Sequence, residues 1–370
     1  MNKMNGGIKL PVKQVFLEEG MESARLGKEI LRKLGGSSLP VKRVKPQEKG
    51  QVIHGALDRK SVYLTSFPGA LLKPCPGTRH YICCGYQILH LGTNCPMDCT
   101  YCILQAYFAE PFMRVFVNLR ERLQEVGEIL DSQPGRTFRL GTGEFMDSLA
   151  LDPLVGWSKI LVPFISSRKN AVLEFKTKTD QVEGLLSLKE RERIVISWSL
   201  NSPHVVAREE HFAPGLERRL EAARRCQEEG FVVGFHFDPI IEHADWKEQY
   251  DRAIDMMGRY IQPKGIIWIS MGCLRYIPRL KDVIRKRHPR SKILEGEFVR
   301  GLDGKMRYFR PLRVEMYGHL AERLKTWSKD LAIYLCMESN EVWLDSLGWS
   351  PGDSEGLSAY LDSRVPRFFS

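Results

Sequence analysis

With 370 residues the chain is long enough to bury a large core and to form one barrel-sized domain with extensions. Its 27% charged and 43% hydrophobic residues are ordinary for a soluble enzyme, and no stretch approaches the roughly 20 apolar residues of a membrane span. Nine cysteines in so long a chain exclude a small disulfide scaffold, while a net charge of +10 points to a polyanionic partner.

The opening MNKMNGGIKLPVKQ has no apolar run fit for a signal peptide, so a cytoplasmic protein without a membrane partner is expected. Residues 14–35 predict a short strand, then a helix stopped by a glycine pair. Residues 39–60 are basic and turn-rich and read as a surface connection, and SVYLTSFPGALLKPCPG mixes a strand with Pro/Gly punctuation. Residues 1–85 are therefore assigned to an N-terminal extension packed on the catalytic domain.

From residue 86 the pattern alternates. Strands are expected at Tyr86–Gly92, Thr137–Gly141, Val172–Thr177, Ile194–Leu200, Val232–Ile240 and Gly265–Met271. Segments of helical period lie between, among them VNLRERLQEVGEILDS, GLERRLEAARRCQEEG and WKEQYDRAIDMMGRYI. This alternation predicts an α/β fold with a parallel sheet, and a sheet of six such strands tends to curl into a partial (β/α)6, TIM-like barrel over residues 86–295. Residues 279–292 are strongly basic and suit either a nucleic-acid contact face or a solvated helix. Residues 296–370 form a C-terminal α/β extension, with a helix, a strand-like AIYLCM and an irregular tail.

The chemistry concentrates in LGTNCPMDCTYCILQ, residues 91–105, where Cys95, Cys99 and Cys102 form a C-x3-C-x2-C array. Three thiolates on one loop can hold three corners of a cubane [4Fe-4S] cluster and leave one iron open to another ligand. A zinc site would usually show a second C-x2-C pair, and none is present. Cys75, Cys83 and Cys84 lie upstream without a clear fourth partner for a second metal site, and Cys226 falls in a helix.

Other candidates sit where predicted strands end. Gly141 and Gly143 of RLGTGEFMDS would let a ligand approach the backbone, with Glu144 and Asp147 placed to receive an amino group. Lys176 and Lys178 share one strand face, as do Ser197, Ser199 and Asn201, whose small polar groups suit ribose hydroxyls. His236 and Asp238 follow on the fifth strand. The sixth brings Cys273, Arg275 and Tyr276 towards the same mouth.

The cysteine spacing, with Tyr101 before the last cysteine, resembles the radical S-adenosylmethionine superfamily. That resemblance implies a partial barrel, an open iron that chelates S-adenosylmethionine, and one-electron cleavage to a 5′-deoxyadenosyl radical that abstracts hydrogen. It also implies a reducing donor such as flavodoxin or ferredoxin. GTGE is similar to the superfamily element that binds the cosubstrate's amino group. A narrower resemblance, to the spore photoproduct lyase family, runs through QVFLEEG…LGKEI, Gln105, the strand ending at Lys178, SLN and FAPGLERRLEAARRCQEEGFVVGFHFDPIIEHADW. It implies carbon–carbon bond cleavage in a DNA photoproduct and assigns Tyr101, Lys178 and Ser199 to the cosubstrate. The family has a relay cysteine on the second-strand loop and a tyrosine after the third cluster cysteine. This chain has Gly143-Glu144-Phe145 and Ile103 there. Cys273 is a candidate replacement hydrogen donor, with Tyr276 as a candidate catalytic neighbour. Two other readings stay open: a radical enzyme acting on a peptide or small metabolite, and a non-enzymatic iron–sulfur or zinc nucleic-acid-binding protein.

Overall fold

The segment QVFLE buries Val15, Phe16 and Leu17 in succession, a pattern that suits a strand covered on both faces. A computed structural model, which describes residues 2–3, 9–10, 12–55, 58–78 and 80–369, accounts for it. Strand β1 (Gln14–Glu18) runs parallel between β2 (Val41–Val44) and β3 (Ser61–Thr65). Helix α1 (Arg25–Leu34) follows β1, as expected. The described chain divides into two compact units: Met1–Lys73, Gln87–Pro96 and Tyr107–Arg193 form one, and Pro74–Tyr86, Met97–Ala106 and Ile194–Ser370 form the other.

In the first unit the stretch expected to be a surface connection contains β2 and helix α2 (Lys49–Gly55). The sequence disguises β2 because VKRV exposes three of its four residues and buries only Val44, the charge-rich signature of an edge strand. Lys49 bonds the Glu18 carboxylate at 2.9 and 3.0 Å, and that carboxylate also accepts from Tyr63 and Thr65.

The strand expected at Tyr86–Gly92 is two pieces. Strand β4 (Gln87–Leu89) belongs to a parallel set ordered β4, β7 (Phe138–Gly141), β8 (Ala171–Thr177). Strand β5 (Gly92–Thr93) instead pairs antiparallel with β6 (Met113–Phe116), which lies beside β3. Gly92 permits that pairing, because a Cβ there would stand 2.2 Å from the Arg114 carbonyl oxygen. Helix α3 (Leu119–Asp131) follows the period expected for it.

Between the pieces lies His90, 8% exposed, its ring against Phe67, Phe116 and Phe145. Neither ring nitrogen has a hydrogen-bond partner among the described residues. Burial, aided by the Lys73 charge, pushes its pKa down to about 4. Between its ordinary value of 6.5 and about 4 the unfolded chain binds the proton and the folded chain does not. Stability is therefore fully present above pH 6.5 and falls as pH drops through that window, by about 3 kcal/mol. Chemical denaturation of His90→Phe is expected to show that acid limb flattened, with stability at pH 7 retained; an unchanged limb would exclude His90 as its source.

In the second unit the parallel strands are β9 (Ile194–Ser199), β10 (Val232–Ile240), β11 (Ile266–Cys273) and, beyond the six expected, β14 (Ile333–Leu335), in that spatial order. Helix α4 (Trp157–Ser166) belongs to the first unit; here α5 (Pro203–Glu209) follows β9, and α6 (Leu216–Glu228) and α7 (Trp246–Tyr260) supply the crossovers between the first three strands. One face of the sheet carries Ser197, Gly234 and Trp268. Gly234 leaves room there, since a Cβ would meet Ser197 Oγ at 2.4 Å and Trp268 Nε1 at 3.1 Å. Helix α8 (Pro278–Arg287) precedes a hairpin, β12 (Phe298–Arg300) and β13 (Met306–Tyr308).

Helix α9 (Arg310–Trp327) packs on β11: the Tyr317 hydroxyl accepts from the Cys273 N–H at 2.6 Å and donates to Glu338 at 2.9 Å. The tail expected to be irregular, from Leu344 on, holds the end of α10 (Asn340–Leu347) and all of α11 (Ser354–Asp362). The Asp353 side chain caps α11 by accepting from the Gly356 N–H at 2.8 Å, and Leu357 and Leu361, one turn apart, are buried. No helix among the described residues is long and apolar enough to cross a membrane.

Candidate functional site at the cysteine loop and strand ends

The loop expected to carry the metal leaves β5 through two residues in left-handed conformation, Asn94 at φ 66° and Asp98 at φ 50°. Asn94 is fixed by donating from Nδ2 to the carbonyls of Glu110 at 2.9 Å and Phe112 at 2.7 Å. Further on, Gln105 Nε2 donates to the carbonyls of Cys99 and Thr100 at 2.8 and 3.0 Å. Arg287, at the end of α8, reaches Asp98 at 2.6 Å. One member of the basic segment is thus committed to the loop.

Cys95, Cys99 and Cys102 form no disulfide, with Cys99 buried and the other two half-buried. Among the described residues no group of three or more Cys, His, Asp or Glu side chains is gathered tightly enough to hold a metal ion. The donor chemistry, three thiols on one loop, fits a cluster that leaves one iron without a protein ligand.

Tyr101 is buried, and its hydroxyl donates to Glu210, whose other oxygen takes a bond from Arg219. Burial, reinforced by the Glu210 charge, pushes the phenol well above its ordinary range. Arg219 also donates to the carbonyls of Pro214 at 2.8 Å and Ser199 at 3.0 Å. Sequence reasoning missed this pair. The signal was present: Arg219 falls on the same helical stripe as Leu216, Leu220 and Ala223, which is the buried one.

In the first unit Gly141 closes β7, and Gly143 passes so near β8 that a Cβ would stand 2.8 Å from the Lys176 Cβ. Glu144 follows, half-buried. Asp147 does not stand ready for an amino group. Its carboxylate accepts from the N–H groups of Leu149 (3.0 Å), Ala150 (2.9 Å) and Lys178 (2.8 Å) and from the Thr177 hydroxyl (2.7 Å). It therefore ties the β7 loop to the backbone of Lys178.

In the second unit Ser199 is buried at the end of β9. Asn201 is largely engaged: Nδ2 donates to the Pro239 carbonyl at 2.8 Å, and Oδ1 accepts from Tyr250 at 2.5 Å and from the Ser202 N–H at 3.0 Å. Asp238 and Arg275 form a forked ion pair with both contacts at 3.1 Å, and Arg275 also points to Cys336 Sγ at 3.4 Å. A Cβ on Gly272 would strike this pair, which places it on one side of β11. The next residue, Cys273, points to α9, with Sγ 4.0 Å from Met316 Sδ. Burial raises its thiol pKa. Tyr276 packs edge-on against Phe298 of the hairpin. Tyr101 and Ser199 are thus joined through Glu210 and Arg219, while Cys273 and Tyr276 pack elsewhere.

Strands with crossover helices, and a thiol loop beside them, define a mixed α/β protein of the partial-barrel class. The family model described as spore photoproduct lyase matches residues 80–310, and the chain belongs to the spore photoproduct lyase family. Curated relatives named spore photoproduct lyase are 28% identical (Geobacillus sp. strain Y412MC61) and 26% identical (Bacillus subtilis strain 168) over 209 residues, 55% of this chain. The match spans 60% of the length of each relative. A solved cysteine-to-alanine mutant of spore photoproduct lyase with dinucleoside spore photoproduct superposes with a TM-score of 0.79 at 20% identity, covering 89% of this chain and 100% of that one. A double mutant with bound AdoMet and the same dinucleoside gives 0.77 at 21%, covering 88% and 98%. These likenesses give the fold, a partial TIM-like barrel.

Proposed function

We propose that the protein is a radical S-adenosylmethionine enzyme that acts on nucleic acid, in the manner of a pyrimidine photoproduct lyase. Family membership over residues 80–310, with the three-thiol loop inside that match, carries the reading. Cys95, Cys99 and Cys102 would hold the cluster. Such a cluster would supply, from a flavodoxin- or ferredoxin-like donor, the one electron needed to break the cosubstrate's C5′–S bond, with methionine as the leaving group and a 5′-deoxyadenosyl radical as the other product. Tyr101, Gly141, Gly143, Glu144, Lys178, Ser199 and Asn201 are the proposed cosubstrate residues. A site of this kind has to keep water out, and the burial of Tyr101 and Ser199 supports that demand.

The nucleic-acid part rests on the relatives' substrates and on charge. Arg279, Arg285, Lys286, Arg290 and Lys292 are exposed along and after α8, a geometry that suits phosphates. Anaerobic reconstitution with reductant and S-adenosylmethionine, with and without ultraviolet-damaged DNA, is expected to yield 5′-deoxyadenosine and recovered thymine. Cosubstrate cleavage without thymine would move the substrate to a peptide or metabolite, a reading favoured by the absence of a thiol at Gly143-Glu144-Phe145. DNA affinity is expected to fall steeply with salt, and removing Arg285 and Lys286 together should flatten the logarithmic slope by about 2. An unaltered slope would take the contact away from α8.

A further inference from the structure

Glu210 and Arg219, which join Tyr101 to the carbonyl of Ser199, have no part in the chemistry assigned so far. We propose that Glu210 and Arg219 are a positioning unit that fixes the Cys99–Cys102 turn against the carboxyl end of β9. The proposal rests on the reading of that turn as a cluster loop.

Both side chains are 0% exposed. Apolar residues of similar volume would often serve stability as well as a buried ion pair does, so stability alone does not account for these two. Their geometry does. The Arg219 fork spends separate donors on Pro214, Ser199 and Glu210, an arrangement that one lysine ammonium does not reproduce. Glu210 divides its two oxygens between Arg219 and Tyr101.

The backbone follows the same line. Glu210 bridges Cys99 in antiparallel fashion, the Thr100 N–H donates to the Glu209 carbonyl at 2.8 Å, and the Phe212 N–H donates to the Met97 carbonyl at 3.1 Å. Residues 209–212 are thus stitched along the loop, and Arg219 anchors that seam to the carbonyl of Ser199, a proposed cosubstrate residue. A displacement of about 1 Å in such a frame costs up to roughly a hundredfold in rate without touching a reacting atom.

The first test needs no cluster. The charge-balanced double variant Glu210→Leu/Arg219→Met removes the anchor without stranding a buried charge. In residue-resolved alkylation of the apo-protein, Cys99 is expected to react about tenfold faster than in the parent, with buried Cys273 unchanged. The second test uses reconstituted protein. Tyr101→Phe, which deletes only the hydroxyl, should bind iron normally, blunt the cosubstrate-induced shift in the reduced cluster's EPR spectrum, and slow 5′-deoxyadenosine formation about tenfold or more.

Parental Cys99 protection in the double variant, or a parental spectrum and rate in Tyr101→Phe, overturns the proposal. If Cys273 also becomes reactive, the double variant has unfolded and Tyr101→Phe decides alone. A parent protein with no cosubstrate-induced shift would sink the proposed function, while the apo-protein alkylation would still judge the positioning unit.

Discussion

Replacing Cys99 with alanine is expected to leave a folded protein that retains little iron and makes 5′-deoxyadenosine at less than about a thousandth of the parental rate, a barrier increase above about 4 kcal/mol. Fold survival follows from how the turn is held. Gln105 bonds the carbonyls of Cys99 and Thr100, and the Thr100 N–H bonds Glu209, all independently of the Cys99 side chain. Loss of one small buried thiol should then cost no more than about 2 kcal/mol. Urea unfolding, iron analysis and product chromatography on the same sample separate the effects. A variant that kept its iron and its product would remove Cys99 from the ligand set.

The second large effect concerns a residue that touches no proposed ligand. Asp147→Ala would strand the N–H groups of Leu149, Ala150 and Lys178 and the hydroxyl of Thr177 in a buried setting. Each unsatisfied buried donor costs about 1–3 kcal/mol, and partial relaxation brings the expected total to about 3–5 kcal/mol in urea unfolding. Because Lys178 is held through its own backbone, the same variant should weaken S-adenosylmethionine binding in calorimetry. Asp147→Asn, which keeps one acceptor oxygen, should fall between. Equal stabilities for Asp147→Ala and the parent would show that these bonds are replaced by water.

The barrel strands were legible because apolar residues recur through short segments bounded by turns: Val232–Ile240 is found where expected, and Ile194–Ser199 and Ile266–Cys273 differ from their predicted bounds only at the ends. Strand β2 was hidden because an edge strand needs only one buried side chain, here Val44. Helix α11 was masked by a Ser/Gly/Asp-rich lead, of which Asp353 is the cap. At the site, local spacing revealed the cysteines but not their supports. Asp147 looked like a ligand because a one-dimensional reading shows a carboxylate without its donors. Glu210 lies 109 residues from Tyr101, and no local pattern announces such a pairing. Cys273 illustrates the same gap: strand position gave its level along β11, and only packing showed that it turns to Met316.

Gly92 changes where the cysteine motif begins. Its missing side chain lets β5 lie against the Arg114 backbone, and the path of the chain into Cys95 is set at that point, three residues before any sulfur. A pattern search anchored on the first cysteine discards this mechanical requirement. A graft of the loop onto another scaffold that omitted it would carry the ligands over and leave behind the hinge that aims them.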